Sequence, residues 1–186
     1  MKRILAALAA IAIGCASAPR SSTTTTHDGV YTPRPTDLEG KTWKLRLPIR
    51  WEVVIVDKDD AQTKDDITIE ALAQSTETYG RGPAVVVLAS VDLTEKTEIE
   101  DGTFGKRYAS VILADKGNIV FNIKPIIFDN RPAELVFYVN KNNIANITII
   151  TDKARRGYVL KCAGDADHIT KVTSACVEVL KTFKLK

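Results

Sequence analysis

The chain has 186 residues, of which 45% are apolar and 26% charged, a composition that supports one ordinary hydrophobic core. Net charge is +3; without Lys2 and Arg3, which sit in an export-type leader, 24 basic residues face 23 acidic ones. That balance argues against a nucleic-acid binder, which needs a basic face to displace counterions from phosphate.

Lys2 and Arg3 precede a run from Ile4 to Ile13 that holds no polar side chain, and Ala12-Ile13-Gly14-Cys15 closes it. A charged start followed by a short apolar run is the layout of an export signal. The run is shorter than the roughly 20 apolar residues that a membrane-spanning helix needs. A cysteine preceded by glycine at the end of such a run resembles the lipobox of bacterial lipoproteins. In that family the thiol takes a diacylglyceryl group, the signal is cut before the cysteine, and the new amino terminus is acylated. The resemblance implies a signal at 1–14, Cys15 as the lipidated residue (palmitate being one such acyl group), and a membrane contact made through that lipid. It also implies a place in the bacterial cell envelope, on the periplasmic face of the outer membrane. The family favours leucine where Ala12 stands and a smaller residue than Ile13. Cleavage after Ala16-Ser17-Ala18 is the alternative, and would leave Pro19 at the new terminus.

Residues 15–37 read as a tether. Pro19, Ser21, Ser22, threonines at 23 to 26, Pro33 and Pro35 leave almost nothing apolar to repay the entropy of folding. A flexible coil of that length reaches about 26 Å. His27 lies inside it without a second ligand at metal spacing, which is the pattern of a solvated histidine.

A single folded domain is expected over 38–186. Residues 42–47 alternate apolar and polar, the mark of a half-buried strand, and after Pro48 a second strand runs over 51–56. Trp43 and Trp51 read as core fillers rather than a ligand-stacking pair. Residues 57–66 form a polar loop, and 67–76 lean towards strand although part of the stretch suits a helix. Residues 79–83 turn on their glycines and proline, and 84–93 is a buried strand. After a charged segment at 95–102, helical spacing of Phe104, Tyr108, Val111 and Ile112 predicts an amphipathic helix over 103–116, capped by Asp101 or Thr103 and stopped by Gly117. A meander of four antiparallel strands follows: 119–128 broken at Pro125, then 133–139, 144–151 and 158–162, with polar turns at 129–132, 141–143 and 152–157. Gly164 and Asp165 open a last helix whose apolar face carries Ile169, Val172, Cys176, Val179 and Leu180. Residues 183–186 can add a terminal strand.

Three cysteines are an odd number for an exported chain. Assigning Cys15 to lipid leaves Cys162 and Cys176. Tyr158, Leu160 and Cys162 share one side of their strand, and if the last helix covers that side the two sulfurs meet in a disulfide. Such a link would contribute about 3 kcal/mol in the chain-entropy model. Two buried free thiols are the alternative.

No catalytic constellation emerges. His168 has no partner arrangement for cysteine–histidine chemistry, and the chain holds no nucleophile elbow, phosphate loop or zinc-protease motif. Asp57, Asp59, Asp60, Asp65 and Asp66 lack the glycine and terminal glutamate of a calcium loop. No metal and no cofactor is expected. Lys153, Arg155 and Arg156 form a basic hairpin tip that could meet an anionic headgroup or an acidic partner, although charged turns are also the default for hairpins.

Trp43 followed by Pro48 and Trp51, Asn130-Arg131-Pro132-Ala133 leading a strand, Gly157-Tyr158-Val159-Leu160-Lys161-Cys162, and a helix ending in Leu180-Lys181-Thr182-Phe183-Lys184-Leu185 come in an order that resembles the PsbP-like superfamily, including DcrB-type exported bacterial proteins. The resemblance spans 40–186 and finds no counterpart between Asp57 and Gly82. It implies an α+β fold, an antiparallel β-sheet flanked by helices as an α/β/α sandwich. It also implies an accessory or binding role without shared catalytic residues. The expectation is therefore a membrane-anchored envelope lipoprotein, not an enzyme, whose domain contacts another envelope protein. The alternative is a small-molecule or lipid carrier with a pocket between sheet and helix.

Overall fold

The computed structural model describes residues 35–54, 67–93 and 103–186. Cys15, His27 and the aspartates at 57 to 66 lie outside the described residues, as do Asp101 and the charged segment at 95–102.

Ten strands and two α-helices are described, in the order β1 (Thr36–Glu39), β2 (Trp43–Leu47), β3 (Trp51–Val53), β4 (Ile67–Tyr79), β5 (Gly82–Asp92), α1 (Thr103–Ala114), β6 (Ile119–Phe128), β7 (Arg131–Val139), β8 (Ile144–Lys153), β9 (Arg156–Asp165), α2 (Ile169–Leu180) and β10 (Lys184–Leu185). Seven strands form one antiparallel sheet in the order β3-β4-β5-β9-β8-β7-β6, and β1-β2-β10 form a second, smaller one. α1 lies on one face of the large sheet, over β7 and β8, while α2 and the small sheet cover the other face. The expected α+β sandwich is therefore the fold, with a three-stranded sheet sharing one outer layer.

Strand alternation divides the core in two. Val86, Leu88, Leu160 and Cys162 point to α2 and the small sheet, where Trp43, Trp51, Val172, Val179 and Phe183 are buried with them. Ala89, Val91, Val136, Ile150 and Val159 point the other way and pack under Phe104, Tyr108, Ala109 and Ile112 of α1. Both tryptophans are core residues, at 4% and 5% exposure. Cys162 and Cys176 are joined, with Cα atoms 5.6 Å apart, and the bond pins α2 to β9 at the centre of the first cluster.

Several expected boundaries move. Among the described residues the first strand, β1, starts at Thr36, inside the expected tether, because Thr36 to Glu39 pair antiparallel with Leu47 to Lys44. β3 ends at Val53, and 55–56 lie outside the described residues. β4 extends to Tyr79, and α1 stops at Ala114 rather than 116. Pro125 does not break β6. This strand is the sheet edge, where a residue without an N–H is tolerated, and the irregularity falls between Val120 and Asn122 instead. The turns at 129–132 and 152–157 shrink to two residues each, Asp129-Asn130 and Ala154-Arg155, all four at positive φ. Two positive-φ residues set the turn twist that tight hairpins prefer. Gly164 and Asp165 do not open the last helix. They finish β9, and a 3-10 turn at Ala166–His168 precedes α2, with the Asp165 side chain accepting from the Asp167 N–H as its cap.

Candidate functional site

The basic tip is built by the β8–β9 hairpin. Register pairing puts Lys153 opposite Arg156, and Ala154 (φ 50°) and Arg155 (φ 66°) bridge them. A left-handed backbone is unusual for alanine and arginine, because Cβ crowds the carbonyl; tight turns normally place Asn or Gly there. Two contacts fix the tip: the Leu93 N–H donates to the Arg155 carbonyl at 2.8 Å, and Arg131 Nη1 donates to the Asp152 carbonyl at 3.2 Å. The Arg155 side chain stands exposed and Lys153 is half-buried.

Arg156, the third cation expected at this tip, is used internally. It lies on β9 with Nε 3.2 Å from Asp92 Oδ1 and Nη1 3.7 Å from Glu70 Oε1. Glu70 sits at the irregularity in β4 between Ile69 and Ala71. Its carboxylate accepts from Trp43 Nε1 at 3.0 Å and from Ser90 Oγ at 2.6 Å. The network therefore couples the small sheet to the large one: Trp43 from β2, Glu70 from β4, Ser90 from β5 and Arg156 from β9. Gly40 is required beside it, since a Cβ there would enter the Trp43 indole. Tyr158 adds a second tie between the layers, donating to Thr42 Oγ1 at 2.7 Å. No spacing in the sequence relates Glu70 to Trp43, so the network was invisible there. Glu70 reads only as a polar position on an alternating strand.

Asp165 marks the opposite end of the hairpin. Arg81 binds it through its own N–H at 2.9 Å and its guanidinium at 3.3 Å, and the Asp167 N–H adds a bond at 3.2 Å. The Arg81 guanidinium and N–H hold this carboxyl down to about 2, well below the usual range. Gly80, at φ 68°, makes the approach possible, because any Cβ there would collide with the Asp165 carboxylate and the His168 ring. His168 itself is exposed at the end of the 3-10 turn and lies beside this ion pair at Gly80, and Cys162 and Cys176 are joined to each other.

Among the described residues, no group of three His, Cys, Asp or Glu side chains gathers at metal-binding distance, and no helix is long and apolar enough to cross a membrane.

No protein-family model and no curated protein sequence matches the chain. Solved structures do. Cyanobacterial PsbP (CyanoP) from Synechocystis is similar with a TM-score of 0.59 at 13% identity, over 88% of this chain and 99% of that one. The fold is PsbP-like. LpqN of Mycobacterium tuberculosis, described as involved in cell envelope biogenesis, is similar with a TM-score of 0.55 at 9% identity, over 82% of this chain and 91% of that one. PA94 of Pseudomonas aeruginosa, a putative regulator, is similar with a TM-score of 0.50 at 11% identity, over 80% and 94%. At these identities the likeness establishes the architecture, and the PsbP-like fold itself hosts differing roles.

Proposed function

We propose that this chain is a lipid-anchored accessory protein of the bacterial cell envelope, held by Cys15, whose non-catalytic domain binds an acidic surface on another envelope protein. One observation carries the reading. The β8–β9 turn presents Arg155 to solvent on a left-handed backbone and Lys153 beside it, while Arg156 forms ion pairs with Asp92 and Glu70. Backbone strain retained at an exposed cationic tip fits a binding role better than a stability role. The similarity to LpqN, an envelope-biogenesis protein, supports the compartment.

The position of the turn favours a protein partner over headgroups. Trp43 is the end of β2 nearest Arg156, through Glu70, whereas Thr36 pairs with Leu47 at the far end of that strand. Four strand residues separate the two levels, about 13 Å. A chain entering the domain at Thr36 from an anchored terminus thus leaves the cationic turn on the side away from its entry.

The test is cross-linking and pull-down from intact cells with the wild type, Cys15→Ala, and Lys153→Glu with Arg155→Glu. The expected result is a discrete partner with the wild type that is lost in the charge-reversed variant and depleted without the anchor. The same partner recovered equally from the charge-reversed variant would overturn the reading.

A further inference from the structure

A second site lies on the other face of the large sheet, beside α1, and it does not depend on the basic turn. Val136, Ile150 and Val159 face α1, so side chains two residues along each strand share that face. These are Tyr138 on β7, Thr148 on β8 and Lys161 on β9, with Asn146 two further residues along β8. Register sets them side by side. Lys161 is directly opposite Thr148 on one flank and Val87 on the other, and Asn146 lies between Ala163 and Tyr138. Directly opposed Cβ atoms are about 5 Å apart and diagonal ones about 7–8 Å, so a side chain of lysine length at 161 spans the distance to either neighbour on β8.

What distinguishes this strip is a buried amide oxygen and a lysine ammonium that have no partner among the described residues. Thr148 is 1% exposed and Asn146 0%; the Thr148 hydroxyl lies against the Tyr138 phenol, while Asn146 Oδ1 has no hydrogen-bond partner. The Asn146 amide donates to the Ile144 carbonyl at 2.7 Å, which leaves the Oδ1 atom as the open acceptor. Among the described residues no carboxylate lies within ion-pair distance of Lys161. Buried polar atoms are nearly always satisfied, and an orphan at a fully buried site calls for a ligand or water. Beyond Lys161, on the side away from α1, the same face continues through Val87, Val85 and Leu72, of which Val85 and Leu72 are only half-buried. An unpaired cation therefore stands at the border between a buried polar strip and an accessible apolar one.

We propose that this face binds a single amphiphilic carboxylic acid. Its carboxylate would meet Lys161 and the Thr148 hydroxyl, and its hydrocarbon chain would lie along Val87, Val85 and Leu72. The charge on Lys161 chooses an anion over a neutral or cationic amphiphile, and the apolar strip chooses a chain over a bare ion. Tyr138 stays protonated, its phenol pushed up to about 12 by burial, and it shares a hydrogen bond with the Thr148 hydroxyl at the inner end of the strip.

Calorimetric titration of the full domain with decanoate below its micellar concentration tests this, with decanol and decyltrimethylammonium as probes of equal chain length. Saturable one-to-one binding of decanoate is expected, with at least tenfold weaker binding of both other amphiphiles. Lys161→Met, which keeps the stem and removes the charge, should lower decanoate affinity at least tenfold, and Thr148→Val should lower it several-fold. Chemical-shift changes on titration should centre on Val87, Thr148 and Lys161. No saturable binding, equal binding of decanol, or unchanged affinity in a folded Lys161→Met variant would overturn the proposal. Should Lys161→Met fail to fold, Thr148→Val and the shift map decide.

Discussion

At the level of single residues, charge placement makes two predictions about stability. Asp165 is bound by Arg81 and held down to about 2 against an ordinary 3.8. A carboxyl whose folded value is depressed contributes stability that is present above its unfolded value and lost as pH falls through its folded one. Asp165→Asn is thus expected to destabilise the domain by about 1–2 kcal/mol at neutral pH, and to flatten the loss of stability between pH 3.8 and about 2 that the wild type shows in urea titrations. Lys161 has the opposite character. Burial pushes its ammonium down to about 8 from 10.5, so the folded state pays for the charge below pH 8 and is relieved as pH climbs from 8 towards 10.5. Burial raises Tyr108 and Tyr138, which turns the trend downward above about pH 10. Without ligand, Lys161→Met should therefore raise stability at neutral pH by about 1–3 kcal/mol and abolish the rise above pH 8. A less stable Lys161→Met would show that the ammonium has a partner that stabilises it. A side chain that costs stability while improving a binding strip is the signature of a functional residue.

Elements were legible where local pattern and packing agree, and illegible where position in the sheet decides. The alternation over Trp43 to Leu47 is the observed burial pattern, and the spacing of Val172, Cys176 and Val179 is the buried face of α2. The disulfide was legible from the cysteine count together with those two patterns, since alternation aimed Cys162 at the helix and helical spacing aimed Cys176 at the sheet, and the bond is present. Pro125 misled because proline breaks a central strand and is harmless on an edge, and nothing local says that β6 is the edge. The turns misled because composition marks polar residues rather than chain reversal: Asp152, Lys153 and Arg156 are polar and still pair in the ladder. Gly164 and Asp165 resembled a helix start, but Gly164 is wedged under Val172 of α2 and Asp165 is committed to Arg81. The sites were less legible than the fold. The Glu70 network and the Lys161 strip join residues far apart in sequence, and only strand register brings them together. One element-level prediction follows from the strained turn. Replacing Ala154-Arg155 with Asn-Gly, residues that accept positive φ, should stabilise the domain by about 1 kcal/mol while weakening partner capture. Loss of stability in this variant would show that the turn is held by contacts of its own side chains rather than strained for exposure.

At the scale of the whole molecule, the two faces of one sheet divide the work. The α2 face is a closed core, tied by the Cys162–Cys176 bond, the Trp43–Glu70 contact and the stacked rings of Phe128 and Phe183. The α1 face leaves the Lys161 ammonium unpaired beside a half-buried apolar strip, and the sheet end nearest Arg156 carries the exposed cationic turn. PsbP-like architecture supplies the frame, while the leader and Cys15 supply the proposed location. The measurement that tests this account most directly is site-specific photo-cross-linking in intact cells from a probe at position 155, with a probe at exposed Thr170 on α2 as the control. The account predicts one discrete protein adduct from position 155 that is absent from position 170 and depleted in Cys15→Ala. Lipid adducts alone from position 155, or the same adduct from both positions, would contradict it.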